Sequence, residues 1–411
     1  MSKPRIYILG GYQSDFAQNW ARQGVTLFDS FANAVRKGLE SAALDAHELG
    51  VGHVGNFVSD LFTGQAHLGG FFGHVDPALC YLPASRHEAA CASGSMALLA
   101  AMADLEAGRY DLACVLGIEM MRNVSGDQAA ANLRAAAWVE REWCDTPYVW
   151  PCAFDQLVEV YRQRHGIDRV HLAAISEKNF ANARRNPNAQ TRHWQFGVDS
   201  FTANDAANPV ISGHIRRQDC GQITDGAAVV FLATESRARQ YAQKRGIALD
   251  ELPWIQGWGH INAPMLLAEK LLHAEPGGYL FPHIRELFRQ TLARAGLPDV
   301  RAVDGLEVHD CFNITEYMIL DHTGLNAPGE AWRAIENGTT ARGGRLPVNA
   351  SGGLIGLGHP VGATGVRMAL DCYRQVRGIA GDCQIEGARR MMTFNLGGST
   401  TTCASLIIGR S

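Results

Sequence analysis

The chain has 411 residues, with 37 Lys and Arg against 41 Asp and Glu, for a formal net charge of −4 at pH 7. That near balance argues against nucleic acid as a partner, which calls for a basic excess or stripe. No run of about 18 apolar residues is present, so no membrane span is expected. Hydrophobic residues at 46% and charged residues at 19% suit a globular chain with a large core, long enough for two or three domains or one duplicated unit. The ten cysteines form no CxxC pair and match no zinc spacing. They read mostly as small buried hydrophobes in a reduced compartment, and no metal is expected. The opening MSKPRIYILGGYQSDF lacks a secretory-signal pattern and the closing IIGRS is not an SKL-type address, so the expected location is cytoplasmic.

Arg5–Leu9 reads as a strand running into a turn at Gly10-Gly11. Leu27–Leu44 sets Phe28, Phe31, Val35, Leu39 and Ala42 at helical spacing. Val51–Phe62 fits strand or loop equally. Ala84–Ala90 leads into Cys91, and a helical pattern follows, apolar at 96, 98, 99, 102 and 105 and stopped by Gly108. Leu112–Ile118 is a nearly unbroken apolar run, as in a buried strand, and helix followed by buried strand marks an α/β fold.

From 122 to 221 charge, Trp, Asn and Pro rise and strand signals thin, so this segment reads as an inserted, loop-rich domain. Thr224–Ala233 returns to a buried strand. The expected division is 1–121 with 222–257 as a first half, and 258–411 as a second. The second half carries a strand at Asp304–His309, helices at Ile314–His322 and Pro360–Arg377, and paired strands at Met391–Gly397 and Thr402–Gly409. Gly94-Ser-Met-Ala-Leu and Gly365-Val-Arg-Met-Ala-Leu echo each other, which chance explains about as well as duplication.

Four places carry groups that suit chemistry. Cys91, in His87-Glu-Ala-Ala-Cys91-Ala-Ser-Gly-Ser, stands just before a helix, whose unpaired N–H groups and dipole favour a thiolate and a pKa below about 8.5. The plain alternative is a small buried residue. His359 sits among six glycines between Gly352 and Gly365, a run that suits close backbone approach to a ligand or an anion-binding loop. His309 and Cys311 follow a buried strand, where open α/β sheets bind ligands; a hydrogen-bond donor and a proton shuttle are one reading, a packed strand end the other. Asn395-Leu-Gly397-Gly398-Ser399 joins two strands, as backbone donors for an oxyanion or as a plain hairpin turn.

Taken together these stretches resemble the thiolase family over nearly the whole chain. Asn349–Gly365 is similar to the family's NxxGGxxxxGHPxGxxG block. EVHDCF at 307–312 looks like the HDCF motif of the sterol-carrier-protein-2 type thiolases, and Lys178-Asn179, Asn182–Asn188 and Thr224-Asp225-Gly226 add softer matches. The family's usual C-terminal CxG is Asn395-Leu-Gly397 here, as suits the HDCF subgroup. The resemblance implies a duplicated five-layer α-β-α-β-α fold with a loop domain at 122–221 that binds coenzyme A. It implies Cys91 as nucleophile, His359 as its activator and an oxyanion donor, and His309 as the second donor. It further implies Cys311 as the acid/base that moves the α-proton, and Gly397 with the Cys91 N–H as the other oxyanion hole. Coenzyme A would be substrate rather than a resident cofactor, and a homodimer or homotetramer is implied. The expected activity is 3-ketoacyl-CoA cleavage by CoA or its reverse. The rivals are a decarboxylating ketoacyl synthase and a non-catalytic, partner-dependent protein.

Overall fold

A computed structural model describes residues 4–143 and 145–410; Cys144, one of the ten cysteines, lies outside them. Eleven strands occur among these residues: β1 Ile6–Gln13, β2 Val51–Gly55, β3 Ala84–His87, β4 Leu112–Glu119, β5 Val210–Ser212, β6 Ile215–Arg216, β7 Gly226–Thr234, β8 Trp254–Asn262, β9 Gly305–Val308, β10 Arg390–Gly397 and β11 Thr402–Gly409. Nine form one sheet in the order β3-β2-β4-β7-β1-β8-β11-β10-β9, and β5 with β6 forms a small hairpin.

That order is a palindrome. Outward from β1, pairing runs antiparallel to β7, antiparallel to β4, then parallel to β2 and β3. Outward from β8 it runs antiparallel to β11, antiparallel to β10, parallel to β9, then through an isolated parallel bridge from Leu306 to Val348. The halves meet at one pair, Tyr7 with Trp254. The faint echo between Gly94 and Gly365 is therefore the trace of a repeated topology. Both are second residues of equivalent helices, Ser93–Glu106 and Thr364–Arg377. The division expected at 257/258 falls inside β8, so the second half's first strand starts at Trp254.

Period-2 alternation sorts the strands' side chains into separate cores. Leu112, Cys114, Leu116 and Ile118 of β4 face outward against the Leu27–Ala42 helix. Ala113 and Val115 face inward, onto the 93–106 and 364–377 helices. In the second half Met392, Phe394 and Leu396 point to the outer Pro282–Arg294 helix, and Met391, Leu406 and Ile408 to the same central helix pair. Helices thus flank and separate two layers of strand, the mixed α/β thiolase-like arrangement that the sequence implied.

The segment at 122–221 is more ordered than its composition suggests. It contains helices Val149–His165 and Arg169–Ala183, the second capped by Asp168. Phe154, Leu157, Tyr161, Leu172 and Ile175 share one core with Leu287, Ile314 and Tyr317 of the second half. The helix expected from Pro360 begins at Thr364, because Val361–Ala363 makes a tight 3-10 turn and Pro360 itself is extended (φ −68°, ψ 110°). Among the described residues no helix is long and apolar enough to cross a membrane.

The two central helices touch through glycine. A Cβ on Gly365 would stand 2.4 Å from the Ser95 nitrogen, and one on Gly94 2.7 Å from the Gly362 oxygen. Backbone cannot step aside as a flexible side chain can. Gly365→Ala is expected to destabilise the fold by about 1–3 kcal/mol, and Gly70→Ala, in open space, to stay within about 0.5 kcal/mol. Urea denaturation of both variants checks this; equal stabilities would contradict the close approach.

Candidate active site

The carboxyl ends of β3, β9 and β10 and the glycine-rich loop at 349–363 deliver the candidate residues to one place. Cys91 lies in a 3-10 turn, Ala90–Ala92, between β3 and the 93–106 helix. Ala90 has φ +50°, a left-handed conformation uncommon for a residue with a Cβ. Ser93 holds the turn: its hydroxyl accepts from the Ala89 N–H at 3.0 Å and donates to the Ala90 carbonyl at 2.6 Å.

His309 and Cys311 follow β9, and the intervening Asp310 is a buried anchor. Its carboxylate accepts from the N–H groups of Leu354 and Ile355 and from the Asn179 amide at 2.7 Å. Burial and the Glu316 carboxylate push Asp310 up to about 7. Asn349, at φ +55°, accepts from the Val308 N–H at 2.8 Å and donates to Glu316 at 2.8 Å. Lys178 and Asn179 also bind Glu316. Asn182 donates to the Asn349 carbonyl and Asn186 to that of Ser351, each at 2.9 Å. The Lys178–Asn188 stretch is thus a clamp, set on the inserted helix, that fixes the loop leading to His359.

That loop is tied to the first half as well. Buried Glu119, at the end of β4, accepts from the Gly362 N–H at 3.0 Å, from the Phe57 N–H at 2.8 Å and from Asn56 at 2.9 Å. The His359 N–H donates to Thr224 at 2.9 Å.

The Cys91 sulfur and ring nitrogens of His309 and His359 lie within 4.8 Å of one another. The two rings are 5.0 Å apart and nearly perpendicular, at 86°. The Nε2 atom of each is buried with no protein partner among the described residues. Their Nδ1 atoms are fixed differently. The Asn395 Nδ2 donates to the Cys91 carbonyl at 3.1 Å, which orients the amide, and meets His309 Nδ1 at 2.9 Å. His309 Nδ1 must accept, so its proton is on Nε2. Thr364 donates its hydroxyl to the Pro360 carbonyl at 3.1 Å and meets His359 Nδ1 at 2.7 Å. The hydroxyl has one hydrogen for these two neighbours; given to Pro360, it leaves His359 Nδ1 as the donor and its Nε2 with the lone pair. One imidazole therefore offers a hydrogen and the other a base.

Electrostatics correct one expectation. The helix N-terminus does not lower the Cys91 thiol: burial pushes it up to about 12, against the opposing pull of the Gly398 N–H. Desolvation outweighs the dipole. Burial, with Arg367 adding to it, depresses His359 to about 3. His309 falls well below its usual value through burial, then His359 and Arg367. Burial and the nearby Cys91 hold the Cys311 thiol well above its ordinary range. The resting site is therefore neutral throughout.

Gly397 packs directly against the Cys91 turn. A Cβ there would stand 2.2 Å from the Ala89 carbonyl oxygen, so glycine is needed to pack β10 against the Cys91 turn. The next residue, Gly398 at φ +62°, shares the cavity wall with Cys91, and its N–H favours the thiolate. Sequence reading also missed the roles of Asn395, Thr364 and Glu119; Asn395 was visible in the motif, but only contacts show what it holds.

Cys91, Cys311, His359 and Gly398 open on a cavity of about 640 Å³, walled by Trp150, Phe154, Phe312, Met121, Leu133 and Val361 among others. Nitrogen-15 NMR of labelled histidines at pH 7 should show His309 protonated on Nε2 and His359 on Nδ1. Neither should titrate between pH 5 and 8; a midpoint near 6.5 for either would contradict the assignment. Because the folded values lie below the ordinary 6.5, the unfolded chain takes up these protons first. Their contribution to stability is full above about pH 6.5 and erodes as pH falls toward 3.

Known proteins share this architecture. The family model described as "Thiolase, N-terminal domain" matches residues 6–194, and "Thiolase C-terminal domain-like" matches 273–410. An acetyl-CoA acetyltransferase of Methanothermobacter thermautotrophicus is 30% identical over 406 residues, covering 98% of this chain and 99% of the relative. Human sterol carrier protein 2 is 25% identical, over 96% of this chain and 70% of its own. A solved structure titled "Ltp2-ChsH2(DUF35) aldolase" superposes with a TM-score of 0.78 at 19% identity, covering 100% of this chain and 99% of that one.

Proposed function

This chain belongs to the thiolase family, and on that premise we propose that it is an acyltransferase cleaving 3-ketoacyl-CoA with CoA, or running the reverse Claisen condensation, through an acyl group on Cys91. The observation that carries the reading is the meeting of one sulfur with two buried imidazoles whose Nε2 atoms have no protein partner among the described residues.

In the cleaving direction the Cys91 thiol passes its proton to His359 Nε2 as the sulfur bonds to the 3-keto carbon. A neutral base beside a neutral thiol makes this transfer concerted with attack, so no free thiolate need accumulate in the buried site. The N–H groups of Cys91 and Gly398 take up the oxyanion. When the C2–C3 bond breaks, its electrons form the enolate of acetyl-CoA. His309 Nε2–H and the newly protonated His359 receive that charge, and the Cys311 thiol protonates C2. Incoming CoA returns a proton to Cys311, its thiolate attacks the acyl group, and Cys91 leaves and recovers its proton from His359.

Burial keeps the Cys311 thiol protonated at rest, so a proton is on hand for C2. A decarboxylating synthase makes its carbanion by losing carbon dioxide and has no use for that second thiol. The apolar cavity wall suits an acyl chain beside the pantetheine arm.

Incubation with a panel of 3-ketoacyl-CoAs and CoA should release acetyl-CoA without a malonyl donor. Without CoA, intact mass should rise by the acyl group, mapped to Cys91. Cys91→Ala should lower turnover on the order of 10³-fold or more. Labelling confined to other cysteines would refute the reading.

A further inference from the structure

Next to the Gly398 turn lies a buried charge for which the acyl-transfer steps have no use. Lys270, on the short helix Leu267–Leu272, is 1% exposed. Its ammonium donates to the Ser399 carbonyl at 2.6 Å, the Ser399 hydroxyl at 2.7 Å, the Thr401 hydroxyl at 2.9 Å and the Met265 carbonyl at 3.0 Å. These partners are all neutral oxygens. Among the described residues no carboxylate is within ion-pair distance and the half-buried Glu142 acts on the ammonium only from farther off, so this buried cation is a costly way to fill space.

The grip falls on a turn that is conformationally demanding. Between β10 and β11, Gly398 has φ +62° and Thr400 φ +70°, the latter a β-branched residue in the left-handed region. His283 Nε2 meets the Thr400 carbonyl at 3.2 Å, and the Ala263 N–H donates to the Thr401 carbonyl at 2.7 Å. In the same turn Gly398 lines the cavity together with Cys91, and its N–H favours the thiolate there.

We propose that Lys270 is a positioning residue, whose ammonium fixes the Ser399–Thr401 backbone so that the Gly398 N–H stays aimed at the oxygen that becomes negative as Cys91 is acylated. This rests on the acyl-Cys91 reading above. Lys270 does not touch substrate; it acts through Ser399 on the neighbouring peptide. Loss of its grip leaves the nucleophile and base in place and removes one preorganised donor.

The test compares full-length wild type with Lys270→Met. Four quantities are read: kcat and KM for thiolysis, acylation of Cys91 by mass, and alkylation of Cys91 by iodoacetamide, which needs no oxyanion donor. Turnover should fall on the order of 10²-fold with KM within about threefold of wild type, while alkylation, which loses only the pull of the Gly398 N–H on the thiol, slows by about tenfold less than turnover. A folded Lys270→Met enzyme with turnover within about threefold of wild type, or an alkylation rate that falls in parallel with turnover, overturns the inference. If that variant does not fold, Thr401→Val removes one of the ammonium's partners at nearly constant volume. It should lower kcat about tenfold at unchanged KM; unchanged kcat with reduced thermal stability also overturns the proposal. Wild type that acquires no acyl group on Cys91 sinks the functional reading itself, whereas acylated wild type with an indifferent Lys270→Met sinks only this inference.

Discussion

Three distant stretches of chain are joined by the amide of Asn395. Its oxygen accepts from the Ser95 hydroxyl at 2.7 Å, and its nitrogen gives hydrogens to the Cys91 carbonyl and to His309 Nδ1. The geometry of that group decides where His309 keeps its proton. Thr364 makes the complementary choice for His359. In a site where burial disfavours every charged form, hydrogen-bond polarity alone separates acid from base.

The fold provides the meeting place by repeating one topology. Equivalent helices, each starting beside a chemically important turn, abut through Gly94 and Gly365 with backbone nearly against backbone. Cys91 precedes one of these helices and the loop from His359 precedes the other. Glu119 ties that loop to the first half, and Asn182 and Asn186 tie its earlier part to the inserted segment. The inserted segment therefore both walls the cavity and braces the loop.

Strands β4, β7, β10 and β11 were legible in the sequence because both their faces are buried, leaving unbroken apolar runs, whereas β2 read equally as loop and the half-exposed β8 gave no such run. The inserted helices were less so. The Val149–His165 helix mixes Trp, Pro and charge, and its apolar residues are matched to a core supplied by the distant second half. Cys91, His309, Cys311 and His359 stood out as reactive types in tight motifs. The need for glycine at 397 depends on where Ala89 packs, and the neutral thiol depends on desolvation by the whole fold. Neither is a property of local sequence.

The division of labour between the imidazoles can be read from two half-reactions: exchange of an acyl group between acyl-CoA and labelled CoA, and cleavage of the C2–C3 bond of a 3-ketoacyl-CoA. Only cleavage produces an enolate. His309→Ala should lower cleavage on the order of 10²–10³-fold while largely sparing exchange, whereas His359→Ala should impair both. Equal loss of both reactions in His309→Ala, or exchange untouched in His359→Ala, would contradict the assignment of donor and base.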